Sequence, residues 1–206
     1  MILMTLLYMA RVARFDLLRA INFLAMRITH WTRKCDRRLH QLMCYVRCTE
    51  DHTLMGWIGD DPKDLVVNVF CDADFAGDPE TLKSTNGHHA DVQGPNSRFP
   101  WAAASKGQTC RSESTPEAEI NSAGSGIKAI AIPAMQISEP LLAPYHKDEP
   151  GWSLRVDIHE DNSSTVRVSL TGKNPTMKLL ERGHGISVGN IHDHVKSGTI
   201  NFIHTR

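Results

Sequence analysis

The chain predicts an α/β fold in which helices pack on a sheet, and three observations carry that expectation. Two helical stretches come first, with arginines between their apolar positions. Three strand-like runs follow, and helix and strand then alternate to the end. The most informative stretch is Phe70-Cys71-Asp72-Ala73-Asp74-Phe75-Ala76-Gly77-Asp78, which closes the apolar run Leu65-Val66-Val67-Asn68-Val69. A β-rich segment that stops on a cluster of acids puts carboxylates at a strand end, where rigid backbone can aim them at a metal ion.

The elements follow in order. Leu6, Leu7, Ala10, Ala13, Leu17, Leu18, Ile21 and Leu24 recur at about helical spacing, and a second helix near Asp36–Arg47 carries Leu39, Leu42, Met43 and Val46. The turn-rich segment 56–64, with Pro62, separates this arm from the rest and sets a boundary near residue 58. Leu65–Cys71 is the first strand. Gly87–Gln93 and Phe99–Ala104 are the second and third, flanking the Gly94-Pro95-Asn96 turn. Ser114 opens a helix that runs to about Ala131. Ser153–His159 is a fourth strand, Asn162–Leu170 a helix, and Thr199–His204 a short final strand.

With 206 residues and 41% hydrophobic content, the chain can bury one good core in one or two domains. The formal net charge is zero, but residues 1–50 carry nine Lys or Arg against three acids, a net +6 that leaves −6 on the remainder. A basic arm beside an acidic body suits phosphate contact next to a metal site; a solvated helix face is the plainer alternative. The five cysteines show no Cys-x-x-Cys pair and no zinc-type spacing with histidine, so reduced thiols in an intracellular protein are the simplest account. The apolar residues 1–10 lack a basic leader and are too short to span a bilayer, so no membrane association is expected. They read as a helix docked on a neighbour, at the start of an excised piece.

Three acidic signals stand out: the Asp72 cluster, Ser114-Thr115-Pro116-Glu117-Ala118-Glu119 before a helix, and Asp161-Asn162 after the strand-like Leu154–Ile158. Three acids delivered by separate strand and helix ends suit a two-metal nuclease, in which divalent ions about 4 Å apart stabilise the attacking and leaving oxygens.

The order Asp72-Ala73-Asp74-Phe75-Ala76-Gly77-Asp78, Lys83-Ser84-Thr85-Asn86-Gly87, Ser105-Lys106-Gly107-Gln108, Ser114 to Glu119, Asp161-Asn162 resembles the ribonuclease H domain of copia-type LTR retrotransposon polyproteins. Residues 6–16 resemble the segment joining reverse transcriptase to that domain, so the likeness spans nearly the whole chain. The resemblance implies a ribonuclease H-like mixed sheet flanked by helices and preceded by a helical arm. Residues 1–58 would be the connection from reverse transcriptase, and residues 59–206 the ribonuclease H-like domain. The implied activity is two-metal hydrolysis of the RNA strand of RNA/DNA hybrids during reverse transcription. Asp72, Glu119 and Asp161 would be both catalytic residues and ligands of two Mg2+ ions, with Mn2+ as a substitute. The implied partners are the hybrid and the reverse transcriptase portion of the same polyprotein. The implied location is a cytoplasmic retrotransposon particle, or the nucleus.

Local physics separates neighbouring acids. Ser114 and Glu117 have capping-box spacing, which gives Glu117 a structural role of roughly 1 kcal/mol. Glu119 lies about 200° around the helix from Glu117 and is left for metal. Asp72 and Asp74 share a face if the strand continues; the resemblance selects Asp72, and Asp74 and Asp78 fix the following turn. Asp161 sits at a strand-to-helix junction, where an N-cap is the plain reading, and Glu160 and Asp157 are close rivals.

A fourth carboxylate is expected near the C-terminus, but aligning residues 181–188 puts Ser187 in its place; Asp193 lies in a different register. His184 and His192 read either as aids to proton transfer or as surface histidines, and His192-x-His194 is a weak metal pattern. Gly124 and Gly126 inside a helix, each costing about 1 kcal/mol relative to alanine, suggest a worn copy. So do Gly183, Gly185 and Gly189, and His88, His89 and Asp91 in a strand. Three alternatives follow: a catalytically degenerate remnant that only binds nucleic acid, a structural piece that folds only with its polymerase, and an integrase-type nuclease.

Overall fold

The computed structural model describes residues 2–149, 152–174 and 180–205, with residues 181 and 182 as backbone alone. The apolar run after Leu65 forms β1 (Val66–Asp74), two residues longer than Asp72 needs, so Asp72 and Asp74 lie inside the strand and point the same way. β2 (Thr85–Gly94) and β3 (Ser97–Gly107) complete an antiparallel meander beside it. On the other edge, β4 (Val156–Glu160) pairs parallel with β1, and β5 (Ile200–His204) parallel with β4. The five-stranded order is β3-β2-β1-β4-β5, an α/β arrangement with a mixed sheet flanked by helices, as the sequence led us to expect.

Parallel neighbours require long crossovers, and helices supply them. Between β3 and β4 run α4 (Thr115–Gly126), a π turn at Ile127–Ala131 and α5 (Ile132–Leu142). Between β4 and β5 run α6 (Ser163–Thr171), α7 (Leu180–His184) and α8 (Val188–Lys196). Alternation along β1 turns Val67, Val69 and Cys71 towards the helices, where they pack with Val156 and Ile158 of β4, Phe202 of β5, and Ile120 and Ala123 of α4. Each such large aliphatic contributes about 2 kcal/mol by leaving water.

Several expectations need correcting. The first predicted helix is two, α1 (Ile2–Val12) and α2 (Leu18–Ala25), parted where Arg14 leaves helical geometry to donate to Asp16 and to the Thr49 carbonyl. The helix expected to end near Ala131 continues through Pro133. The π turn directly before it accommodates a ring that has no N–H to give. Gly124 and Gly126 are not signs of wear: a Cβ at Gly124 would stand 2.7 Å from Ile186, and one at Gly126 2.7 Å from Cys71 Sγ. Glycine lets α4 approach β1 and the segment before α8. Two polar residues of β2 find a partner on one atom each, while His88 Nδ1 and Asp91 Oδ1 stay buried without one. His88 donates to the Ser122 carbonyl at 2.9 Å, and Asp91 accepts from Gln93 at 2.7 Å.

The arm, completed by α3 (Arg33–Cys48), has a small core of its own built on Leu3, Leu6, Leu17, Leu18, Ile21 and Leu24. Polar contacts fasten it to the sheet. Arg19 meets Asp74 and Arg27 meets Asp78, each at 2.5 Å. Four of its nine basic residues are thus engaged within the protein, since Arg14 bonds Asp16 and Arg38 stacks on Phe23. Near the predicted boundary, Trp57 bridges to Arg98 at the start of β3. Among the described residues, no helix is long and apolar enough to cross a membrane.

Candidate metal centre

Three elements converge at the end of β1. Asp72 projects from the strand opposite Gly87, which has no side chain to crowd it. Glu119 comes from the second turn of α4, and the Ser122 hydroxyl one turn on donates to the Asp72 carbonyl at 2.7 Å, tying helix to strand. Asp161 follows the last residue of β4, and its carbonyl accepts from His204 Nε2 at 2.8 Å. One carboxylate oxygen from each of Asp72, Glu119 and Asp161 lies within 4.8 Å of the others. Among the described residues this is the one such group of three or more potential ligands, and neither His192 nor His194 belongs to it.

The neighbouring acids are occupied elsewhere. Arg19 holds Asp74, and a side chain at residue 77 would collide with the Asp74 carboxylate, so Asp74 and Gly77 shape the turn together. Asp78 accepts from Arg27, Thr81 and the Glu80 N–H. Asp157 accepts from Asn201 at 3.0 Å. The N-cap of α6 is Asn162, whose Oδ1 takes the Ser164 and Thr165 N–H groups, so Asp161 is released from capping. The capping box at α4 does not form. Glu117 reaches one residue further back, to the Glu113 N–H at 2.9 Å, and its other oxygen lies 3.4 Å from His184 Nε2. His184 is no surface histidine, since its side chain is buried against Glu117 and Asn121.

Crowded negative charge sets the electrostatics. Burial, and then the charges of Asp72 and Asp161, raise the Glu119 pKa to about 8. Burial and Glu119 do the same to Glu160. Glu119 is buried, and its Oε2 has no hydrogen-bond partner. A bare buried carboxylate oxygen facing two more carboxylates suits a cation, and an all-oxygen donor set suits a hard divalent one. The residues present fit such an ion.

Ser187 gives no such ligand: its hydroxyl caps α8 by accepting the Asn190 N–H at 3.4 Å. What sequence reasoning missed is a buried amide network beside the centre. Gln108 donates to the Asn86 side chain at 2.6 Å and to the Ala118 carbonyl, while Asn86 donates to Asn121 and Ser125. Asn86 and Gln108 each stand in one of the recognised sequence blocks, and that was their only signal.

No protein-family model matches the chain, and no curated protein matches it. Similarities to solved structures are distant. A ribonuclease H1 isolated from compost by a metagenomic approach is 11% identical, covers 68% of this chain and 84% of its own, and has a TM-score of 0.36. The ribonuclease H1 of the halophilic archaeon Halobacterium salinarum is 17% identical over 66% of this chain and 84% of that one, with a TM-score of 0.31. A foamy viral protease-reverse transcriptase, solved in complex with an RNA/DNA hybrid, is 12% identical over 98% of this chain, with a TM-score of 0.48; this chain spans 23% of its length.

Proposed function

We propose that this chain is the ribonuclease H region of a copia-type LTR retrotransposon polyprotein and hydrolyses the RNA strand of RNA/DNA hybrids. In this reading residues 1–58 are the connection from reverse transcriptase and residues 59–206 the ribonuclease H-like domain. The observation that carries it is the meeting of Asp72, Glu119 and Asp161 within 4.8 Å from three separate elements. The order of the sequence blocks supports it as well.

Asp72, Glu119 and Asp161 would hold two Mg2+ ions. Bound there, the ions supply Lewis-acid activation of water and neutralise charge on the scissile phosphate. The chain's own residues position the donors. Ser122 fixes Asp72 against α4, Asn162 frees Asp161 by taking over the cap, and burial of Glu119 keeps its bare oxygen from water. A groove of about 650 Å3 between arm and sheet is lined by Arg11, Lys106 and Lys128 together with Asn86, Gln108 and Asn121. Cations suit backbone phosphates, and amides suit ribose hydroxyls, which distinguish RNA from DNA.

Hydrolysis of a labelled hybrid with Mg2+ tests the assignment. Magnesium-dependent cleavage of the RNA strand, abolished in Asp72→Asn, is the expected result; cleavage undiminished in that variant defeats it. Ser187, committed to a cap, favours a second reading in which the domain grips hybrids without cutting them. Salt-dependent hybrid binding with no magnesium-dependent product would select that reading.

A further inference from the structure

Of the nine basic residues in the arm, Arg14, Arg19, Arg27 and Arg38 are engaged within the protein. Arg11, Arg33, Lys34, Arg37 and Arg47 are exposed, and their side chains make no ion pair or hydrogen bond with any described residue. Four of these five belong to α3. Helical rotation of about 100° per residue sets Arg37 and Arg47 within about 40° of Arg33, so the three form one stripe about 21 Å long, with Lys34 beside it. The stripe faces away from Cys35 and Leu42, the residues that α3 buries. An exposed helix face that meets only water normally mixes charges of both signs. This one does not: α3 has a single acid, Asp36, and its carboxylate accepts from Trp31 Nε1 at 2.7 Å. The helix itself gains nothing from the pattern, since cations in its first turn oppose the macrodipole. These cations stay unpaired although the rest of the chain carries a net −6.

We propose that this face of α3 is a second phosphate-binding surface, on which Arg33, Arg37 and Arg47 grip the backbone of an RNA/DNA hybrid that extends beyond the groove of Arg11, Lys106 and Lys128. The proposal rests on the reading of the chain as one that binds such hybrids. No residue of α3 lines that groove, so the surface is separate from it. α3 nonetheless lies close to the strand that carries Asp72: its Arg38, Gln41 and Tyr45 share a cleft with Gly77, in the turn that follows β1. Duplex DNA carries about one negative charge per 1.7 Å of axis, and a hybrid has the same two phosphate strands. A row of cations can meet that charge along its whole length. Guanidinium forks suit phosphate oxygens, and three of the four cations are arginines. An acidic protein surface is the competing occupant, and it predicts that hybrid binding is indifferent to these residues.

Fluorescence anisotropy of a labelled hybrid, titrated with the full chain in metal-free buffer over a range of salt, separates these accounts, with melting of each protein as the control for folding. Wild type is expected to bind with a steep dependence on salt. The triple variant Arg33→Gln, Arg37→Gln, Arg47→Gln is expected to bind on the order of tenfold more weakly and to lower the slope of log affinity against log salt by about 2–3. The triple variant Arg33→Lys, Arg37→Lys, Arg47→Lys keeps the charges and is expected to hold the wild-type slope. A wild-type slope in the glutamine variant overturns the proposal and leaves hybrid binding standing. An equal loss of slope in the lysine variant also overturns it, because charge is then not the cause. Absence of hybrid binding by wild type overturns both the proposal and the reading beneath it. If the glutamine variant does not melt cooperatively, Arg37→Gln alone is the second variant. A slope lowered by about 1 supports the surface, and an unchanged slope overturns it.

Discussion

The Ser122 hydroxyl donates to the Asp72 carbonyl at 2.7 Å, joining the helix that carries Glu119 to the strand that carries Asp72. Two acids 47 positions apart thereby share one rigid frame. Ser122→Ala is expected to cost about 1 kcal/mol in urea denaturation and to weaken Mn2+ binding, because the frame loosens as well as the fold. Unchanged Mn2+ affinity in a destabilised variant would show that Ser122 serves stability alone.

Gly126 packs where a Cβ would meet Cys71 Sγ at 2.7 Å and the His88 ring at 3.0 Å. Helix propensity alone predicts that Gly126→Ala gains about 1 kcal/mol. Overpacking a buried contact costs about 1–3 kcal/mol, and strand and helix can separate only by opening the core. The expected net effect is destabilisation, read from the urea midpoint; a raised midpoint would contradict the close approach.

Arg27 and Asp78 form a buried ion pair that ties the end of α2 to the turn after β1, and the Arg27 guanidinium also lies 3.7 Å from the Phe23 ring centroid. Arg27→Ala leaves a buried carboxylate without its partner and is expected to cost about 3 kcal/mol or more. The Arg27→Ala, Asp78→Ala double variant should lose clearly less than the sum of the singles, as a double-mutant cycle would measure. Additive losses would mean that the two side chains act independently.

The acidic centre makes metal-free stability depend on pH. Glu119 and Glu160 are both raised to about 8, by burial first and by neighbouring carboxylates next. Between the ordinary glutamate pKa and 8, the folded state therefore holds protons that the unfolded state has released. Stability falls as pH rises through that window, by up to about 1.4 kcal/mol per pH unit for each such proton. Above pH 6.5, where the depressed pKa values of His88, His89 and His159 no longer contribute, melting temperature without metal should decline towards pH 8.5. Adding Mg2+ should offset the decline, because bound cation replaces the proton. A flat profile without metal, or no Mg2+ effect, would contradict the charge crowding.

Much of the fold was legible because its signals are local. The apolar run before Asp72 and the helical spacing of the arm follow from periodicity within one element. Propensity misled where packing decides. Gly124 and Gly126 read as flaws until α4 was seen pressed against β1, and the helix expected to end near Ala131 runs on through the π turn and Pro133.

The sequence by itself determined which residue types were available: three acid-bearing blocks in a fixed order, a basic arm, and a serine where a fourth acid was expected. Only the tertiary structure decided that Asp72, Glu119 and Asp161 meet, that Asn162 rather than Asp161 caps α6, and that Glu160 is buried at the end of β4. The reason is physical. Secondary structure is encoded within a few residues, whereas the proximity of carboxylates from β1, α4 and the end of β4 arises only when the sheet pairs and the helices close over it.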